Sequence, residues 1–393
     1  MTPGAAPLRE AAEIRALTGL RGLAASMVLL FHFAVPAAPA GAVRTLLSHG
    51  FLWVDCFFVL SGFVMALSFP VRAGPGLGRR HLHFLGRRIA RIYPLFAVTT
   101  LAAFAVTRWY PGVFTGTGNP APWATLLANA LMVQNAAWLV PFGPHDWGAS
   151  ANPAAWSIST EWLAYLIYPA LALPMAVPRR FAPIAAALIA TAMLFWLASA
   201  TQVLTGPGFA GDVWVCRPGN AWRCPATGLA PGGPLGIWDG NSPAILRCLA
   251  DFTLGLAAFR LRAHPLAHRA LRNRGASSLL LVLIFTLLTR SGADVAIVLL
   301  FPLLIVRLLR NDAPCARLLA GGVAYRLGVL SYSIYMVHEP LRISALYPWL
   351  AARTAGPFML ALSSVAVVLP VAVLTFVLIE RPGRVWLRAM LRV

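Results

Sequence analysis

Apolar runs long enough to cross a bilayer recur along this chain, and its basic residues fall in the gaps between them. That alternation narrows the fold to a bundle of membrane helices, because a backbone in lipid must satisfy its own hydrogen bonds. The chain is 59% hydrophobic and 11% charged, against about 25% charged residues in an average soluble domain. A net charge of +20 would suggest nucleic acid as the partner of a soluble protein. Here the basic residues are all arginines, clustered between apolar spans, which is the signature of positive charge held on the cytoplasmic side. The expected partner is the lipid bilayer, with no nucleic acid.

The apolar runs are 16–36, 50–70, 90–107, 156–176, 181–203, 244–262, 276–290, 294–310, 327–347 and 356–379. An eleventh stretch, 123–140, is made polar by Asn129, Gln134 and Asn135. Ten spans with an inside amino terminus place 24 arginines inside and eight outside, whereas letting 123–140 cross would invert every later segment. The arginine bias therefore predicts ten spans, both termini cytoplasmic, with 123–140 lying in the outer face. Val35-Pro-Ala-Ala-Pro-Ala faintly resembles a signal-peptide cleavage site, but the first span is long and is read as retained. The expected fold is all-α and polytopic. It is a single membrane domain over 1–393, with a short cytoplasmic lead at 1–15 and a Gly/Pro-rich external loop at 205–243. Cys216 and Cys224 share that loop, where a disulfide would persist; Cys56, Cys248 and Cys315 read as packing residues, and no metal pattern is present.

Ionisable residues inside apolar helices cost a few kcal/mol and therefore mark function or a partner. Arg21 opens the first span at the inner surface, and His32 lies about 16 Å deeper at 1.5 Å per residue. Arg88 and Arg91, spaced i and i+3 in Arg88-Ile-Ala-Arg91-Ile-Tyr93-Pro94, share a helix face on the same inner side. With Arg21 they make a candidate site for an anion such as phosphate. Asp55, in an outside-to-inside span, reaches the depth of His32 and is a candidate to orient its imidazole. Glu161, with Tyr165 one turn on, and His338 beside Glu339 reach similar depths. His32, Asp55, Glu161 and His338 are thus the candidate acid–base residues, suited to taking a proton from a hydroxyl. Arginines as topology anchors, and carboxylates and histidines as structural pairs, are the competing reading.

Six segments in order resemble the integral-membrane acyltransferase 3 family over nearly the whole chain. They are Arg21-x10-His32, Trp53-Val-Asp55-Cys-Phe-Phe-Val-Leu-Ser-Gly62, Arg88-x-x-Arg91-Ile-Tyr93-Pro94, Ser157-Ile-Ser-Thr-Glu161-Trp, Ser331-Tyr-Ser-Ile-Tyr-Met-Val-His338 and Glu380-Arg381-Pro382. Cys56 and Thr160 depart from the usual residues without touching an ionisable group. The resemblance implies an enzyme that takes an acyl group, commonly acetyl, from cytoplasmic acyl-CoA to a hydroxyl of an envelope carbohydrate or similar acceptor. It implies that Arg21, Arg88, Arg91 and Tyr93 bind the donor and that His32 is the base or a transient acyl carrier. It also implies residence in a bacterial inner membrane, with any periplasmic transfer partner a separate protein. A transporter or flippase of an anionic lipid-linked or glycan substrate would use the same inner arginines. No internal repeat or paired broken helices favour that alternative.

Overall fold

A computed structural model of the chain describes residues 14–35, 38, 40–109, 122–135, 151–176, 181–201, 242–271, 273–290, 292–310, 313–344, 346–354 and 356–393. The lead before residue 14, Pro36, Ala37 and Pro39 of the Val35-Pro-Ala-Ala-Pro-Ala segment, most of the 205–243 loop and the Cys216/Cys224 pair lie outside the described residues. Among those residues every regular element is helical and no strand occurs. The helices are α1 (Arg15–Ala34), α2 (Ala42–Ser48), α3 (Leu52–Ser68), α4 (Leu77–Trp109), α5 (Pro122–Ala130), α6 (Trp156–Leu166), α7 (Tyr168–Ala176), α8 (Ala182–Thr201) and α9 (Ser242–Leu261). They continue with α10 (Pro265–Ala270), α11 (Ala276–Leu287), α12 (Asp294–Leu308), α13 (Pro314–Leu319), α14 (Gly322–Ile343), α15 (Leu346–Ala351), α16 (Gly356–Thr375) and α17 (Arg381–Leu391). A π-helical turn, Phe376–Glu380, joins the last two.

Each of the ten expected stretches coincides with helix. Four helices are long and apolar enough to cross a membrane: Arg15–Ala34, Ala42–Ser68, Leu77–Val106 and Phe358–Leu391. The others fall short for visible reasons. The 156–176 stretch breaks at Ile167 between α6 and α7, and α11 runs only 12 residues. Helices α9 and α14 carry Arg247, Asp251, Glu339 and Arg342, all turned into the protein. Helix α5 has nine residues, about 13 Å at 1.5 Å per residue, which is too short to cross. After it, Gln134 and Asn135 donate side-chain N–H groups to the carbonyls of Ala155 and Trp156, tying the segment to the start of α6.

The exposed apolar side chains gather on α8 (Leu188, Ile189, Phe195, Trp196), α11 (Leu279, Val282) and α16 (Phe358, Leu362, Leu374), a surface suited to lipid. The interior is organised by two very close helix pairs. On α1 and α14, a Cβ added at Gly328 would lie 1.8 Å from the Thr18 carbonyl oxygen, and one at Gly22 would lie 2.6 Å from Ala324 O. On α3 and α9, a Cβ at Gly62 would sit 2.0 Å from Phe252 O, and one at Gly255 would sit 2.0 Å from Val59 O. Helix association in lipid depends on such small residues, because packing rather than apolar burial drives it.

Candidate active site

The close pairing of α1 with α14 sets the site. Arg21 and His32 are separated by three helical turns and so share one face of α1. Ser331, Tyr332, Tyr335, His338 and Glu339 fall at i, i+1, i+4, i+7 and i+8 on α14 and form the facing stripe. The two stripes carry two clusters, one at each end.

At one end lies a cavity lined by Arg21, Arg88, Arg91, Ser61, Glu161 and Tyr165, with Ser157, Ser331, Tyr332 and Tyr335 along its wall. Arg88 and Arg91 reach it together, as their spacing on α4 predicts. Ile92 lines it with them, but Tyr93 does not: one residue on, it turns about 100° away and its ring lies 6.2 Å from Phe96. The tyrosines of the cavity are instead Tyr165, Tyr332 and Tyr335. The Arg88 guanidinium rests among the rings of Phe69, Phe84 and Tyr165, at 5.0, 5.8 and 5.9 Å, which favours a cation in an apolar surround. Its buried Nε has no hydrogen-bond partner among the described residues. Glu161 accepts hydrogen bonds from the hydroxyls of Ser61 and Tyr165, and these two hydroxyls are 2.8 Å apart.

At the other end, His32 Nδ1 is 2.9 Å from Glu339 Oε1. A donor at Nδ1 leaves Nε2 as the basic nitrogen of a neutral imidazole. Arg342 clamps the same carboxylate, Nε to Oε1 and Nη2 to Oε2, both at 2.8 Å. The His338 ring lies 4.8 Å from that of His32. His338 Nδ1 is 2.6 Å from the Tyr335 carbonyl oxygen, and its buried Nε2 has no hydrogen-bond partner among the described residues. His32, His338 and Glu339 place ligand-type atoms within 4.8 Å of one another. The Arg342 guanidinium already occupies both oxygens of the carboxylate, so its charge opposes a divalent cation and the cluster is better suited to handling a proton.

Three sequence expectations are corrected here. Asp55 does not orient His32: it sits on the other face of α3, where both its oxygens accept from Arg247 of α9. Residues 55, 59 and 62 of α3 face α9, whereas 54, 58, 61 and 65 face the cavity. Glu339, read in the sequence only as the neighbour of His338, holds the place given to Asp55. Glu161 does not join the histidines but faces the arginines. The i, i+7, i+8 spacing of Ser331, His338 and Glu339 was the signal for this stripe, and Arg247 lay hidden because its partner is 192 residues away.

A family model described as an acyltransferase domain matches residues 14–377. The chain is 30% identical over 348 residues to acyltransferase MdmB of Streptomyces mycarofaciens, covering 83% of this chain and 78% of that protein. No solved structure matches the chain. With its ordered motifs on apolar helices and its matched family model, the chain belongs to the acyltransferase 3 family and is an enzyme that transfers acyl groups.

Proposed function

We propose that the enzyme carries an acyl group, acetyl in the first instance, from cytoplasmic acyl-CoA to a hydroxyl of an envelope carbohydrate or similar acceptor, in a bacterial inner membrane. The observation that carries this reading is the pairing of an arginine-lined cavity and an Nδ1-anchored histidine on one face of α1. Arg21, Arg88 and Arg91 take the phosphates of the donor, since guanidinium groups match phosphate oxygens in pairs. The thin arm of the donor follows the wall of Ser61, Tyr332 and Tyr335 towards His32, about 16 Å along α1 from Arg21.

His32 then acts through Nε2. It removes the proton of the acceptor hydroxyl as the oxygen attacks the thioester carbonyl, the carbon–sulfur bond breaks, and the thiolate of CoA departs with that proton from the imidazolium, which returns His32 to its neutral form. Glu339 fixes the tautomer and stabilises the imidazolium as it forms, and Arg342 holds Glu339 in place. The Nε2 of His338, 3.7 Å from Glu339 Oε1 and without a hydrogen-bond partner among the described residues, lies beside this centre and is suited to accept a hydrogen bond from the acceptor.

Release of free thiol from acetyl-CoA by the purified protein, with and without envelope glycan, tests the reading. Acceptor-dependent release should fall by about 10²–10⁴-fold in His32→Ala, the usual contribution of a positioned base. Wild-type turnover by a folded His32→Ala protein would sink it.

A further inference from the structure

The C-terminal helix α17 lies along the first half of α4. A Cβ at Gly383 would come 2.5 Å from Pro94 Cβ, and one at Gly86 would come 2.9 Å from Val393 Cγ1. The two helices therefore run antiparallel, with Arg88 and Arg91 between these points of contact. Arg384 follows Gly383 directly. The π-helical turn at Phe376–Glu380 widens the backbone just before it and brings the buried Glu380 inward, a device often found at functional sites. Glu380 accepts from Ser333 on α14 with one oxygen and from Arg384 with the other. Tyr332, next to Ser333, donates to the Ile92 carbonyl at 2.7 Å and locks α14 to α4 at the same level.

The result is a concentration of like charge. Arg384 is within electrostatic reach of Arg21 and Arg91, with Arg388 on its outer side. Arg21, Arg88, Arg91 and Arg384 face the carboxylates of Glu161 and Glu380, so guanidinium groups outnumber carboxylates by two. Arg384 Nε is buried with no hydrogen-bond partner among the described residues, yet a quarter of the side chain remains exposed. Clustered cations in a partly dry site repel one another unless an anion joins them.

We infer that Arg384 is a fourth cation of the donor site, gripping a phosphate group of the nucleotide end beside the arginine-lined cavity rather than within its wall, and that Glu380 is the positioning residue which holds it near Arg91. The inference rests on reading that cavity as the place of acyl-CoA. Arg384 donates to Glu380 through Nη2, while its buried Nε–H keeps no partner among the described residues, so the group can hold Glu380 and still have a donor left for the phosphate.

The test is equilibrium binding of CoA to the purified full-length protein, followed in Arg384→Gln and Arg88→Ala. Arg384→Gln should raise the Kd for CoA by about tenfold, which is 1.4 kcal/mol. If Arg88→Ala weakens CoA binding and Arg384→Gln leaves it unchanged, Arg384 is no part of the site and the donor reading stands. If neither variant changes the affinity, both fall. Arg384→Lys keeps the charge facing Glu380 and guards against misfolding of the glutamine variant. It should weaken CoA by a few-fold while leaving S-acetyl-pantetheine, which lacks the nucleotide, unaffected, because an ammonium cannot reproduce the guanidinium fork. An equal loss for both ligands would mark a structural role and overturn the inference. Glu380→Gln should raise the KM for acetyl-CoA and leave kcat close to wild type; a fall in kcat alone would remove Glu380 as a positioning residue.

Discussion

Two carboxylates that look alike in the sequence have unlike work. Glu339 touches His32, and Asp55 touches Arg247, each fully buried. Their variants should therefore fail differently. Glu339→Gln should lose up to about 10⁴-fold in turnover per folded molecule, as when a histidine loses the carboxylate that sets its tautomer. Some stability should be lost as well, because Arg342 loses its charge partner. Asp55→Asn should leave turnover per folded molecule near wild type. It should instead destabilise by about 1–3 kcal/mol, because the buried Arg247 loses its paired hydrogen bonds and keeps only the more weakly placed carboxylates of Asp251 and Asp294. Thermal unfolding in detergent together with thiol release separates the two. At this scale Arg21, His32, Arg88, Arg91, Glu161 and His338 were all legible, since an ionisable side chain in an apolar run stands out. Their partners were not. Which face of α3 meets α9 is decided by Gly62 and Gly255 permitting close approach, and single-sequence periodicity carries no record of that. Tyr93 was misplaced by the same route, through proximity in sequence to Arg91 rather than position on the helix face.

Among the elements, α1 and α14 depend on each other most. Their glycines let the backbones approach until a single methyl group would overlap a carbonyl, at 1.8 Å in the case of Gly328. Gly328→Ala should force the helices apart and cost about 1–3 kcal/mol, the usual penalty of overpacking. Because Glu339 rides on α14 and His32 on α1, the same change should also lower turnover in protein that remains folded, measured as thiol release per folded molecule. Helix existence was easy to read, and the ten apolar runs all appear. The interruption at Ile167 and the π-helical turn at Phe376–Glu380 were not, as both are local backbone choices imposed by neighbours rather than by composition.

For the whole molecule, charge placement orients the chain. Arginine-rich segments around residues 72–91, 260–274 and 381–392 are expected on the cytoplasmic side with the arginine-lined cavity, and Arg353 on the opposite side. In a background with Cys216 and Cys224 replaced by serine, Cys56, Cys248 and Cys315 are buried and offer little thiol. Arg353→Cys should then react with a membrane-impermeant maleimide added to cells with opened outer membranes, and Arg79→Cys should not; the reverse pattern would invert the topology. The glycine-locked contact between α1 and α14 has one more implication. Because Arg21 and His32 stand on one helix stiffened by that contact, the distance between them works as a fixed gauge. Such a gauge measures the carrier and ignores the cargo. On the proposed donor reading, the enzyme would reject an acyl group borne on a shorter arm however well that group itself fits. Any preference among acyl chains would have to be exercised beyond His32, on the side from which the acceptor arrives.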